Sequence, residues 1–134
     1  MTIPDWLLPA TDNAEFFTDE RCYIQELLNT EQSPDVSVAI ARVEPGVTTQ
    51  LHCLTGVSET YILSQGTGVV EVNHERCPVA TGDKIFIPAE VPQRITNTGR
   101  TDLLFYCVCT PRFEPTCYVN LEDESPNSGQ LDEA

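Results

Sequence analysis

The feature that most constrains this chain is its rhythm. From Arg21 onward, apolar stretches too short for helices alternate with turn residues. CYIQELL is followed by the break NTEQSPD and VSVAIARV by the turn EPG. TTQLHCL, ETYILSQG, TGVVEVN, KIFIP, QRITN and LLFYCVC then follow, separated by Gly56, Gly66, Gly68, Gly82, Pro88, Pro92 and Gly99. Each stretch is of strand length and rich in Val, Ile, Thr, Tyr and Phe, whose branched or flat side chains suit a pleated, half-buried surface. About eight such strands, closely spaced, predict an all-β chain that buries its apolar faces as a sandwich or a barrel. EFFTDERCYIQELLN has partial 3.6-residue periodicity, but the content of its second half reads as a strand.

A chain of 134 residues holds one core, so a single domain is expected. Residues 1–20 mix Pro, Asp, Asn and Thr with Trp6, Phe16 and Phe17 and read as an N-terminal arm without regular structure. Residues 21–120 make the barrel. TPRFEPTCYVNLEDE reads as a final segment wrapping its outside, anchored by Phe113 and Tyr118. Residues 121–134, with Glu122, Asp123, Glu124, Asp132 and Glu133 and no base, read as an acidic flexible tail. No apolar run approaches the length of a membrane helix, and no basic region precedes the apolar residues at the start, so a cytoplasmic protein with no membrane contact is expected. With 21 acidic and 7 basic residues the net charge is −14, which repels a polyanion and argues against nucleic acid. In that compartment Cys22, Cys53, Cys77, Cys107, Cys109 and Cys117 are expected as free thiols.

Two stretches carry the chemistry. The first runs PGVTTQLHCLTGVSETYILSQG and sets Gly46, His52, Leu54, Glu59 and Gly66 in order; the second, GDKIFIPAEVPQRITN, sets Gly82, Pro88, Gln93 and Asn97. Together they resemble the two motifs of the cupin family, a glycine followed after five residues by His-x-His, then a glutamate and a glycine, and later a glycine, five residues, a proline, a histidine and an asparagine. Matched spacing over two separated motifs is far more specific than a lone glycine pattern. The resemblance, over about residues 37–110, implies a double-stranded β-helix, the cupin jelly-roll barrel, with the motifs on neighbouring strands. It also implies a divalent transition metal held by inward side chains. The chain departs from the family at Leu54, where a second histidine is expected, at Gln93, where the second-motif histidine is expected, and at Glu90, which replaces a glycine.

Side chains two apart on a strand share a face, so Gln50, His52 and Leu54 group together, as do Gln93, Ile95 and Asn97. His52, Glu59 and Gln93 can then converge as a mixed nitrogen and oxygen set for Fe, Mn, Ni or Zn, weakened by the poor donor strength of an amide oxygen. The opposing reading is a site without metal, where these residues bond to one another or to a bound molecule. The pocket is expected to draw on Gln50, Leu54, Tyr61, Leu63, Ile95, Cys107 and Cys109, although the two thiols read more readily as buried packing. His74 reads as an exposed turn residue and Cys53 as pointing away from His52. Arg42 and Arg94 are the basic residues nearest the pocket strands, and an anionic substrate would need one of them, although Arg94 alternates outward from Gln93. Two functions remain open: a metal-dependent small-molecule enzyme of dioxygenase, isomerase, lyase or cyclase type, and a pocket that binds a small organic molecule without turnover. Without metal, Glu59 can act as general base with His52 as acid or electrophile. The apolar arm around Trp6 suggests a homodimer.

Overall fold

Alternation decides which way every strand faces. The structure, a computed structural model, describes residues 2–10 and 13–122, and among them eleven strands form two sheets. One sheet carries β1 (Phe16–Phe17), β2 (Tyr23–Leu28), β3 (Ser37–Val43), β10 (Leu103–Thr110), β5 (Ser58–Gln65) and β8 (Lys84–Ile87), in that spatial order. The other carries β11 (Tyr118–Asn120), β4 (His52–Leu54), β9 (Gln93–Asn97), β6 (Thr67–Val72) and β7 (Glu75–Ala80). All the pairings are antiparallel. The two sheets face each other as a double-stranded β-helix, so the expected all-β barrel is the fold.

Along β10, Leu103, Phe105, Cys107 and Cys109 are buried; along β5, Glu59, Tyr61 and Leu63; along β9, Gln93, Ile95 and Asn97. The period of two places these rows face to face between the sheets. Their apolar members join Val43, Val70 and Ile87 in the main core, while Leu54, Val57, Cys109 and Cys117 form a second cluster covered by Phe113 and Tyr118. Polar Glu59, Gln93 and His52 therefore lie among the core residues.

The strands stop where the backbone must turn. Gly66 has a φ of 99°, and a Cβ there would lie 3.2 Å from the Asp102 carbonyl oxygen and from the Leu103 Cα, so a side chain would be strained by the backbone and crowded by its neighbours. Glu90, at the glycine position of the second motif, adopts the left-handed conformation with φ 66°. A non-glycine residue there is strained, and the Glu90 carboxylate offsets this by accepting the amide N–H of Gly56.

Two expectations for the chain ends change. Phe16–Phe17 of the arm form β1 on β2, because the pair extends the sheet beside the free edge of β2. The C-terminal segment does not only wrap the outside: β11 pairs with β4 in the register Tyr118 to Leu54 and Asn120 to His52. Leu51 N–H donates to Glu122, which also holds Arg21 in a two-pronged ion pair, closing the end of that strand. The tail beyond residue 122 lies outside the described residues.

Candidate functional site

β4 and β9 bring the two motifs together, with His52 directly opposite Gln93. His52 is 3% exposed. Its Nδ1 lies 2.8 Å from the Gln50 carbonyl oxygen; a carbonyl only accepts, so Nδ1 carries the hydrogen and Nε2 presents its lone pair or a second proton. Nε2 is 3.5 Å from Oε2 of Glu20. One imidazole face stacks on Tyr118, with centroids 4.7 Å apart and planes 14° from parallel, and the Tyr118 hydroxyl donates to the Gln50 side-chain oxygen at 2.6 Å. Ring orientation and tautomer are thus both set by neighbours.

Glu59, inward on β5, faces the same space. Burial pushes its carboxyl above the ordinary range; the nearby His52 offsets part of the rise, the Glu20 charge adds to it, and the Gln93 amide and Cys107 thiol again oppose it. Its Oε1 is buried with no hydrogen-bond partner among the described residues. Glu20 is also pushed up, by burial first, with His52 working against the shift. Two carboxyls and one imidazole therefore interact in a single enclosure.

A cavity of about 40 Å³ lies here, lined by Glu20, Cys22, His52, Leu54, Glu59, Tyr61 and Tyr118 among others. A second, of about 150 Å³, is walled by Phe16, Ile24, Val38, Cys107, Cys109 and Phe113, and shares Glu20, Ile24, Glu59 and Phe113 with the first. The carboxyls stand where the two spaces meet.

Of the residues singled out in the sequence, His52, Leu54, Glu59 and Tyr61 line the first cavity, and Cys107 and Cys109 line the second. Gln50, Leu63, Ile95 and Gln93 line neither. Leu63 and Ile95 belong to the main core because their strands pack them against Phe105 and Leu103 rather than toward the opening. Gln50 acts from behind, orienting His52 and Tyr118. Cys53, flanking His52, is half-buried and opposite Val119 on β11; His74 has a left-handed backbone in the turn between β6 and β7. Arg42 is engaged with Glu15 and Asp102 and covers the Tyr23 ring; Arg94 is paired with Glu71. Neither reaches the cavities. All six cysteines are unpaired, and burial pushes the Cys22 thiol up to about 12.

Glu20, Cys22 and Tyr118 are among the lining residues that the sequence did not disclose. Glu20 sits in an irregular stretch of charged residues, and Tyr118 in a segment read as packing. No local pattern marks either, since both reach the site through long-range folding.

The cupin domain family model matches residues 39–109, which is more than half of the chain and spans both motifs. The chain belongs to the cupin family. An uncharacterized protein of Methanocaldococcus jannaschii is 32% identical over 100 residues, covering 73% of this cupin and 80% of that protein. An oxalate-binding protein of Thermotoga maritima is 34% identical over 84 residues, covering 61% and 69%. The crystal structure of a predicted oxalate decarboxylase from Thermotoga maritima superposes with a TM-score of 0.69 at 25% identity, covering 78% of this chain and 98% of that one.

Cupins often hold a metal, and the side chains of this one decide how well they suit it. The Gln93 carbonyl oxygen accepts the Tyr61 hydroxyl hydrogen, so the amide oxygen that would complete a His52, Glu59 and Gln93 set already has a partner. Leu54 fills the second-histidine position with a buried isobutyl group. Among the described residues no group of three or more His, Cys, Asp or Glu side chains is arranged to hold a metal ion. The donors of this cupin do not fit a resident metal as they stand.

Proposed function

We propose that this cupin binds a small organic molecule in the cavity beside His52, with Glu20, Glu59 and His52 as the polar contacts and no metal between them. The observation that carries the reading is the buried Oε1 of Glu59, a strong acceptor with no donor. Leaving such an atom unpaired costs about 1–3 kcal/mol or more, a cost that a bound donor removes. Tyr118 and Phe113 supply flat apolar walls, as is usual where a few polar groups orient a ligand in a concave site.

The same groups can move a proton. A carboxyl with a raised pKa is a better base toward a weak acid than an ordinary one, and the imidazole 3.5 Å from the second carboxyl can return the proton. In a turnover reading Glu59 is the general base and His52 the acid. A carbonyl-containing ligand would meet its acid at Nε2.

A second reading keeps the metal. The unpartnered Glu59 oxygen and the His52 nitrogen are ligand types for Fe, Mn, Ni or Zn, and Gln93 would join them with an oxygen shared with the Tyr61 hydroxyl. Elemental analysis of protein purified without chelator, then reconstituted with each of the four metals, separates the two. The first reading expects substoichiometric metal and no change in thermal stability with EDTA. A stoichiometric metal that disappears in His52→Ala sinks it in favour of the second.

We further propose that the cupin is a cytoplasmic homodimer held by its N-terminal arm. The arm exposes Ile3, Trp6, Leu7 and Leu8, with Trp6 83% exposed, more apolar surface than a solvated segment of this length needs.

A further inference from the structure

The two neighbouring cavities, which share Glu20, Ile24, Glu59 and Phe113, contain a charge pattern of one sign. Their walls hold the carboxyls of Glu20, Glu26 and Glu59 and not one Lys or Arg among the described residues. Arg42 and Arg94, the nearest cations on the pocket strands, are committed to Glu15, Asp102 and Glu71 on the outside. Glu26 is accounted for by the Asn29 amide at 2.8 Å. Three acceptors then remain around the small cavity: Oε1 of Glu59, Oε2 of Glu20 and, in the neutral imidazole, Nε2 of His52. The last two face each other at 3.5 Å with no hydrogen between them unless one is protonated. An anionic ligand would add a fourth lone-pair carrier to this group. A hydroxyl could donate only one hydrogen.

We propose that the site takes a primary ammonium group on a short apolar body, the nitrogen lying between Glu20, Glu59 and His52 and the body filling the second cavity. An ammonium has three N–H donors and no acceptor, which suits a cavity lined by two carboxyls and an imidazole. The body cavity of about 150 Å³ is walled by Phe16, Ile24, Val38 and Phe113, and a cavity of about that size accommodates a ligand as large as benzene, near six heavy atoms. Phe113 lines both spaces and Tyr118 lines the first, and aromatic rings in a pocket attract a cation. Burial raises both carboxyls, and the charge of His52 opposes the rise only in part, so a bound cation would favour their ionised forms. A net charge of −14 draws cations toward the protein and slows anions.

The inference rests on the small-molecule reading of the pocket, and one calorimetric series keeps the two apart. The full chain is titrated at neutral pH with n-pentylammonium, pentan-1-ol and pentanoate, which share a five-carbon body and differ in the head group. n-Pentylammonium is expected to bind at least about tenfold more tightly than pentan-1-ol, and pentanoate not measurably, since a charge-assisted hydrogen bond is roughly twice as strong as a neutral one. Glu20→Gln, at a side chain 23% exposed, should weaken the ammonium about tenfold and pentan-1-ol by clearly less, with the melting temperature checking that the variant is folded; equal losses for the two ligands overturn the ammonium inference. Equal binding of the alcohol and the ammonium, or preferred binding of pentanoate, overturns the ammonium inference and leaves the pocket reading standing. No binding of any of the three at millimolar concentration overturns both.

Discussion

Glu59 shows how one residue answers to two pressures. Its position on β5, with Tyr61 and Leu63 on the same face, forces it inward, and water that would solvate its charge is excluded. The folded chain therefore holds the Glu59 proton more tightly than the unfolded chain does. By linkage, stability is fully present below the ordinary carboxylate pKa and falls as pH rises toward the raised value, by about 1.4 kcal/mol per pH unit between the two. Glu59→Gln keeps shape and hydrogen-bonding capacity while removing the charge. Its melting temperature is expected to exceed that of the parent at pH above the raised value and to converge with it in acid. Glu20, raised in the same direction, leaves a smaller slope in the variant. A melting curve for Glu59→Gln that stays parallel to the parent across the whole pH range would show that the carboxyl is solvated. At this scale the sequence was legible for His52, Glu59 and Tyr61, because the resemblance to the cupin motifs turns His52 and Glu59 inward and alternation puts Tyr61 on the face of Glu59. It was silent on Glu20, whose approach to the imidazole depends on a non-repeating stretch between β1 and β2.

Among the elements, the second motif turns out to hold the fold together as well as to set the site. Asn97 ends β9 and is 1% exposed. Its amide donates to the Val43 and Thr101 carbonyls at 2.8 and 2.9 Å, and its side-chain oxygen accepts the Gly99 N–H at 2.8 Å. One side chain thus ties the end of β3 to the turn that leads into β10. Asn97→Ala leaves two carbonyls and one N–H unpaired, with an expected loss of about 3 kcal/mol. Urea unfolding should register it as a lower midpoint at an unchanged slope; a loss below about 1 kcal/mol would mean that water replaces the amide. The strands rich in β-branched residues were readable from composition and spacing. β7 was not, since ERCPVA is exposed along nearly its whole length and contains Pro78. It is an edge strand, where proline costs no ladder bond and neither face needs to be apolar. β1 and β11 escaped for a related reason: two or three residues carry no period, and only the neighbouring edge makes them strands.

For the molecule as a whole, the six-stranded and five-stranded sheets enclose a main core and a smaller second cluster beside the two neighbouring cavities, while the arm and several surface aromatics remain outside. Phe17 and Phe86 are 58% and 64% exposed, in addition to Trp6. If the arm covers a second copy, light scattering at micromolar concentration should give twice the monomer mass, and removal of residues 1–10 should return it to one; a monomeric parent would end the dimer proposal. No helix among the described residues is long and apolar enough to cross a membrane.

The amino-acid sequence by itself determined the all-β class, the two motifs and the inward rows, because these follow from a period of two and from turn residues, which are properties of neighbours along the chain. It also showed that Leu54 and Gln93 depart from the usual ligand pattern. Only the tertiary structure decided what those departures mean. It spent the Gln93 oxygen on Tyr61, laid Tyr118 against His52, and brought Glu20 within 3.5 Å of the imidazole. Those are contacts between residues tens of positions apart, and their energies depend on burial and on facing partners, quantities that exist only once the sheets have closed on each other.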